Sequence, residues 1–271
     1  MPEHIPLRIL PLMEASGTEN ISLHPNLYYL RTYNFAVVIP MANEEPDFFP
    51  FVEALTQVLD FLQSGKVYFV VDNVSKDKTR DLCTTLSGND PRFVTVWAPE
   101  NKNVVDAYMR GYREAFPHHD FIIEMDAGLS HDPRAIPMFL RVLNEGNECA
   151  FGSRFMNGGS IWQSSFKRIF LSRIGTVLSN ILLGSRLKDM TSGFQGFHNT
   201  VVKELLDYHL LSQAHFYQTE VRYLLRKKRY IEVPIHYRAP SPSVSGKAIR
   251  NSISVLLHYF IQRLIFQAKS L

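Results

Sequence analysis

The stretch FAVVIPMANEE, residues 35–45, decides the fold. Phe35–Pro40 is a short β-branched apolar run closed by a proline, as expected of a strand buried on both faces of a parallel sheet. Polar Asn43 and Glu44 follow at its carboxyl end. The same unit recurs downstream. KVYFVV (66–71) ends on Asp72, FVTVW spans 93–97, FIIEM (121–125) ends on Asp126, and a further strand begins at Cys149–Phe151. The apolar spacing between these runs predicts helices over 46–63, 78–86, 103–116 and 133–144. Strands alternating with helices imply an α/β fold with a parallel sheet and right-handed crossovers. Ligands of such sheets bind beyond the carboxyl ends of the strands. Residues 40–45, 72–77 and 126–130 all fall on that edge, which predicts a single polar site there.

Outward from this unit the chain is less regular. Residues 1–33 carry Pro2, Pro6, Pro11 and Pro25 and read as an irregular arm. In the second half, 166–184 is a basic amphipathic helix candidate, 217–227 a helix, 230–237 a strand and 246–269 a long helix mixing apolar and basic residues. The expected organisation is an arm at 1–33, a main domain at 34–245 and an amphipathic helix at 246–271. An apolar fraction of 45% in 271 residues supports a substantial core. A net charge of only +3 argues against a dominant nucleic-acid footprint. Cys83 and Cys149 have neither disulfide nor metal spacing and read as buried free thiols, which favours a reducing compartment. The N-terminus shows no secretory signal, and no apolar run reaches the roughly 18 to 20 residues of a spanning helix. A protein acting on a membrane-borne substrate would therefore visit the membrane itself or work with a separate anchored partner.

Each polar cluster admits a chemical and a plain reading. Asn43 and Glu44 can bind a base or ribose edge, or Asn43 can cap a helix. Asp72 and Asn73 sit where a carboxylate meets ribose hydroxyls, and Asp77 can simply cap the next helix. In MDAGLSHDP (125–133), Asp126 is placed to ligate a hard cation bridging a diphosphate, or is a turn aspartate, and His131 reads as a packing residue. In GSRF (152–155), Arg154 is followed by Lys167, Arg168 and Arg173, either a phosphate cluster or a solvated helix face. DMTSGFQGF (189–197) has the composition of a tight turn.

Taken in order, VVIPMANEE, VVDNVSKDKT, MDAGLSHDP, GSRFMNGG, KDMTSGFQGF, QTEVRYLLRKKRYIEVPIHYR and SPSVSGK resemble the family-two inverting glycosyltransferases. The nearest subgroup is the dolichyl- and polyprenyl-phosphate mannosyltransferases, and the resemblance runs from about residue 35 to about residue 255. It implies a Rossmann-like GT-A fold: a mostly parallel sheet flanked by helices, followed by C-terminal amphipathic helices. The implied activity is transfer from a GDP-mannose-like or UDP-sugar donor to a polyprenyl or dolichyl phosphate, with Mg²⁺ or Mn²⁺, by a cytoplasmic protein peripheral to a membrane. Carried over by position, Pro40, Ala42, Asn43, Glu44, Val71, Asp72, Asn73, Asp126, Ala127 and Gly128 would line the donor pocket. Arg238 and Lys247 would belong near the loop over the diphosphate. Asp126 and Ser130 would hold the metal, and Arg154 and Asp189 would join Asp126 and Arg168 in catalysis. Arg168, Ser172 and Glu220 would meet the acceptor. Three departures stand out. Gly128 replaces the second aspartate of the Asp-x-Asp segment, Asn73 and Val74 replace an aspartate and a glycine, and Asn103 and Val105 stand where glycines are common. They leave open a soluble acceptor, or a nucleotide-sugar-binding relative without catalysis.

Overall fold

The computed structural model describes residues 33–164, 166–214, 216–238 and 246–266. All but the last residue of the expected arm at 1–33, and the end of the last helix, lie outside them. The strands are β1 (Phe35–Met41), β2 (Lys66–Val71), β3 (Phe93–Trp97), β4 (Phe121–Glu124), β5 (Cys149–Ser153), β6 (Ser160–Trp162), β7 (Gln195–His198), β8 (Tyr230–Pro234) and β9 (His236–Arg238). The helices are α1 (Phe48–Leu62), α2 (Thr79–Asn89), α3 (Val104–Ala115), α4 (Ile136–Asn144), α5 (Phe166–Leu183), α6 (Asn199–Asp207), α7 (Tyr217–Leu224) and α8 (Gly246–Phe266).

Seven strands form one sheet in the order β3-β2-β1-β4-β7-β5-β8. Its β1, β2, β3 and β4 are parallel, as the apolar runs predicted. Along β1, Phe35, Val37, Ile39 and Met41 enter the apolar layer shared with α1 and α4. Ala36 and Val38 face the opposite layer, which contains residues of α3, α6, α7 and α8. That alternation is the two-residue period of a strand covered on both faces.

Two expectations are corrected. The turn segment 189–197 ends in a strand: β7 lies between β4 and β5 and runs antiparallel to both. Its Gln-Gly-Phe-His sequence lacks an apolar run because Gly196 makes room for neighbours. A Cβ there would meet Ile123 of β4 and Phe139 of α4 at 2.9 and 3.1 Å. The strand at 230–237 divides in two. Pro234 has no N–H to continue the ladder, and the chain passes from β8, parallel to β5, to β9, which pairs with β6 in a second small sheet.

Candidate active site

The loops after β1 and β2 are stitched to each other. Asn43 Nδ2 donates to the Val74 carbonyl, Asn43 Oδ1 accepts from Lys76 N, and Ser75 Oγ accepts from Asn43 N. Glu44 N donates to Thr79 Oγ1 at 2.8 Å, and Glu45 N to Asp77 Oδ2 at 3.0 Å. Burial works against the Asp77 carboxylate. Hydrogen bonds from Thr79, Ser75 and the Glu45 and Thr79 amides outweigh it and hold its pKa at about 2. Asn43 therefore serves as a bracket between two loops, a third role beside cap and base contact. Asp72 is buried, with Oδ1 accepting from Val74 N, and Asn73 Nδ2 donates to the Pro99 carbonyl. Val71 is wholly buried in the apolar layer, so only its backbone is available to a ligand.

Asp126 follows β4 with its side chain 40% exposed. Tyr108 of α3 donates to Asp126 Oδ1 at 2.8 Å, and Asp126 N donates to His131 Nδ1 at 3.0 Å. His131 is fully buried between the rings of Phe194 and Tyr237, the packing role expected of it. Burial keeps the imidazole neutral, with a pKa lowered to about 4. Gly193 abuts the same carboxylate: a Cβ there would lie 3.1 and 3.2 Å from Asp126 Oδ1 and Oδ2, and 3.2 Å from Gln218 Nε2. Glu44 completes the cluster. Desolvation, then the charges of Asp47, Asp126 and Asp77, raise its carboxyl to about 7. The structure thus brings Glu44, Asp126 and Gly128 together at the ends of β1 and β4.

Beneath Asp126, Glu124 is fully buried and accepts from the hydroxyls of Tyr112 and Tyr217 and from Gln195 Nε2. Burial raises its pKa to about 8 despite those bonds. Tyr217 also stacks on Tyr108, so a buried tyrosine pair links this carboxyl to the one in the site. Sequence reading missed Glu124, Tyr108, Tyr217 and Gln218. Glu124 stood unremarked in the quoted strand FIIEM, and Gln218 opened a quoted motif.

Arg154 and Asp189 pair with each other. Arg154 Nε and Nη2 reach Asp189 Oδ2 and Oδ1 at 2.7 and 2.9 Å, and Nη2 also reaches Thr191 Oγ1 at 2.5 Å. Burial opposes charge on Asp189, but the Arg154 guanidinium prevails and lowers its pKa to about 2. Among the described residues only Nη1 of Arg154 is left for a phosphate, so the expected catalytic roles of Arg154 and Asp189 reduce mainly to a structural clasp. Exposed Arg173 of α5 shares the Phe155 ring with Arg154, at 5.1 and 5.2 Å. Ser172 is half-buried on α5, and the side chain of Arg168 lies outside the described part of the structure.

Glu220 stands apart from the expected acceptor site. It is fully buried, and its oxygens accept from Leu211 N, Ser212 N and the Tyr259 hydroxyl of α8. It brackets α7 to α8. Arg238 is exposed and bonds Gln163 Oε1. Lys247 is exposed at the start of α8, and the intervening loop 239–245 lies outside the described residues. Ser130 is tied to β9 through its carbonyl, which accepts from Arg238 N. Pro40 and Ala42 are half-buried at the end of β1, and Ala127 packs on the apolar layer.

Residues 36–206 match the family model described as Glycosyl transferase family 2. The chain belongs to this family; it is a glycosyltransferase of GT-A-like fold. It is 27% identical over 206 residues to an undecaprenyl-phosphate mannosyltransferase of Micrococcus luteus, covering 74% of this chain and 82% of that protein. It is 31% identical over 172 residues to a dolichol-phosphate mannosyltransferase of Pyrococcus furiosus, covering 62% of this chain and 47% of the other. In three dimensions it resembles the glucosyl-3-phosphoglycerate synthase of Mycobacterium tuberculosis, whose crystal structure holds Mn²⁺, uridine diphosphate and phosphoglyceric acid. The TM-score is 0.64 at 17% identity, over 86% of this chain and 81% of that one.

Proposed function

We propose that the protein transfers a hexosyl group, with inversion, from a GDP-mannose-like or UDP-sugar donor to a polyprenyl or dolichyl phosphate at a membrane surface. The donor lies at the ends of β1, β2 and β4, against Pro40, Ala42, Glu44, Asp72, Asn73, Asp126, Ala127 and Gly128. The acceptor approaches along α5, where Arg168, Ser172 and Arg173 meet its phosphate. One oxygen of that phosphate bonds to the anomeric carbon as the bond to the diphosphate breaks, and the electron pair leaves with the nucleoside diphosphate. The nucleophile is already anionic, so the chain needs to supply alignment and charge stabilisation instead of a strong base.

The oxygens present suit a divalent cation that arrives with the donor. Among the described residues, no three His, Cys, Asp or Glu side chains form a complete metal cage. Mg²⁺, however, is commonly held by one or two carboxylates together with substrate phosphates. Asp126 offers a half-open carboxylate, and buried Gln218 Oε1 has no hydrogen-bond partner. A bound Mg²⁺ or Mn²⁺ would stabilise charge on the departing diphosphate.

The observation that carries the lipid acceptor is the uncovered apolar surface of α5 and α8. Arg263 of α8 donates to the carbonyls of Ile181 and Leu182 and so clasps the end of α5. Phe166, Phe170, Ile174 and Ile181 are exposed along α5, and Ile253, Ile261 and Leu264 along α8. Large apolar side chains left exposed on two clasped helices suit an interaction site, and the reading places that site against a bilayer interface. Among the described residues no helix is long and apolar enough to cross a membrane, so attachment would be peripheral.

The test is incubation with radiolabelled GDP-mannose or UDP-sugars and vesicles carrying polyprenyl phosphate. Label should enter the organic phase, and Asp126→Ala should reduce the rate by about 100-fold or more. Label found only in a water-soluble product would overturn the lipid acceptor.

A further inference from the structure

The segment after β4 has Gly128 where an Asp-x-Asp pair would place its second carboxylate, and another side chain fills that place. Gly128 adopts φ +71°, and a Cβ built on it would stand 2.8 Å from Glu44 Oε2 and 3.8 Å from Glu44 Cδ. These are the only heavy atoms that position meets among the described residues. The carboxylate of an aspartate begins one bond beyond its Cβ and its oxygens lie two bonds beyond. Glu44 therefore brings an oxygen, from the end of β1, into the space an aspartate at 128 would occupy. Its backbone is fixed there by the Thr79 bond and by its neighbours' bonds to the β2 loop. No described residue donates a hydrogen bond to its carboxylate.

A second observation points to a ligand at this spot. Every residue of α7 is buried, and most of its polar side chains are matched within the protein. Thr219 donates to the Met190 carbonyl, Glu220 accepts the bonds described above, and Arg222 donates to the carbonyls of Asp189, Gly152 and Ser192. The exceptions are the Tyr223 hydroxyl, on a ring packed against Tyr259 of α8, and Gln218. Gln218 is 5% exposed, its Oε1 has no partner, and its amide lies with the Asp126 carboxylate on one side of Gly193. A buried acceptor left unmatched beside a carboxylate fits a site that a cation or its ligands complete.

We propose that Glu44 supplies the second carboxylate of a divalent-cation site shared with Asp126, reaching across Gly128 from a different loop. The proposal rests on the donor-site reading given above and deepens it. The pair is assembled from two β-strand ends, and glycine at 128 is what admits the glutamate.

Mn²⁺ binding by the full-length protein, followed by electron paramagnetic resonance with GDP and separately with UDP, tests this without an assay of transfer. Loss of even an outer partner of a metal ligand costs about 10- to 100-fold in affinity, so Glu44→Gln should weaken Mn²⁺ binding by about tenfold or more. Moving the carboxylate back, in the double variant Glu44→Ala with Gly128→Asp, should restore most of the affinity. Wild-type affinity in Glu44→Gln, with loss in Asp126→Ala, overturns the proposal and leaves the cation at Asp126 intact. A folded double variant that stays weak also overturns it. Unchanged binding in Asp126→Ala would defeat the donor-site reading itself. If the double variant does not fold, the affinity of Glu44→Gln decides.

Discussion

Gly128 and Gly193 owe their places to carboxylates: Glu44 Oε2 stands against the first, and both oxygens of Asp126 against the second. At the same scale, buried histidines set the response to acid. His119 is buried, with Nδ1 bonded to Asn34 Oδ1 at 2.8 Å and Nε2 to the Tyr68 hydroxyl at 3.1 Å. Burial, then the charges of Lys66 and His118, lowers its pKa from 6.5 to about 4. The unfolded chain therefore takes up a proton near pH 6.5 that the folded chain refuses until near pH 4. Stability from this residue is full above that window and is lost as pH falls through it. Glu44 and Glu124, raised to about 7 and about 8, act in the opposite sense, so the difference between two proteins is the clean measure. Urea unfolding of wild type and His119→Gln should show the wild-type advantage shrinking by about 2 kcal/mol between pH 7 and pH 5. A constant difference would show that the imidazole titrates normally.

α5, of 18 residues, and α7, of 8, treat their side chains in opposite ways. α7 buries polar side chains and gives all but Gln218 Oε1 and the Tyr223 hydroxyl a partner, whereas α5 leaves large apolar ones in the open. Burying one such side chain is worth about 1.5–3 kcal/mol, so a few of them would suffice for the lipid attachment proposed above. Phe170→Asp, Ile181→Asp and Ile253→Asp together should reduce co-sedimentation with anionic vesicles by more than about tenfold. Surface positions seldom move stability by more than about 0.5 kcal/mol each, so the thermal midpoint should change little. Equal co-sedimentation of variant and wild type would mean that the helices face something other than lipid.

Across the whole molecule, the antiparallel β7 joins the parallel strands β3, β2, β1 and β4 to β5 and β8, and one buried arginine secures the seam. Arg222 donates from α7 to the backbone before β7, to Gly152 of β5 and to Gln195 of β7 itself. Arg222→Met would leave several buried carbonyls without donors, at about 1–3 kcal/mol for each group left unsatisfied. Denaturant unfolding should show a loss of at least about 3 kcal/mol, and Arg222→Lys should not recover it, because a lysine lacks the planar fork. A loss below about 1 kcal/mol would place the seam's stability elsewhere.

The sequence by itself determined the alternating strands and helices from β1 to β5 and the edge on which Glu44, Asp72 and Asp126 lie. A strand covered on both faces must be written as a continuous apolar run, and the polar residue that ends the run marks the carboxyl edge. Only the tertiary structure decided that Gln195–His198 is a central strand, that Arg154 and Asp189 are spent on each other, and that Glu220 braces α8. It also decided that Glu44 fills the space at Gly128. These outcomes depend on partners distant in the chain, whose pairing leaves no period in either segment. A glycine kept for a neighbour's side chain reads the same as one kept for a turn until the neighbour is in place.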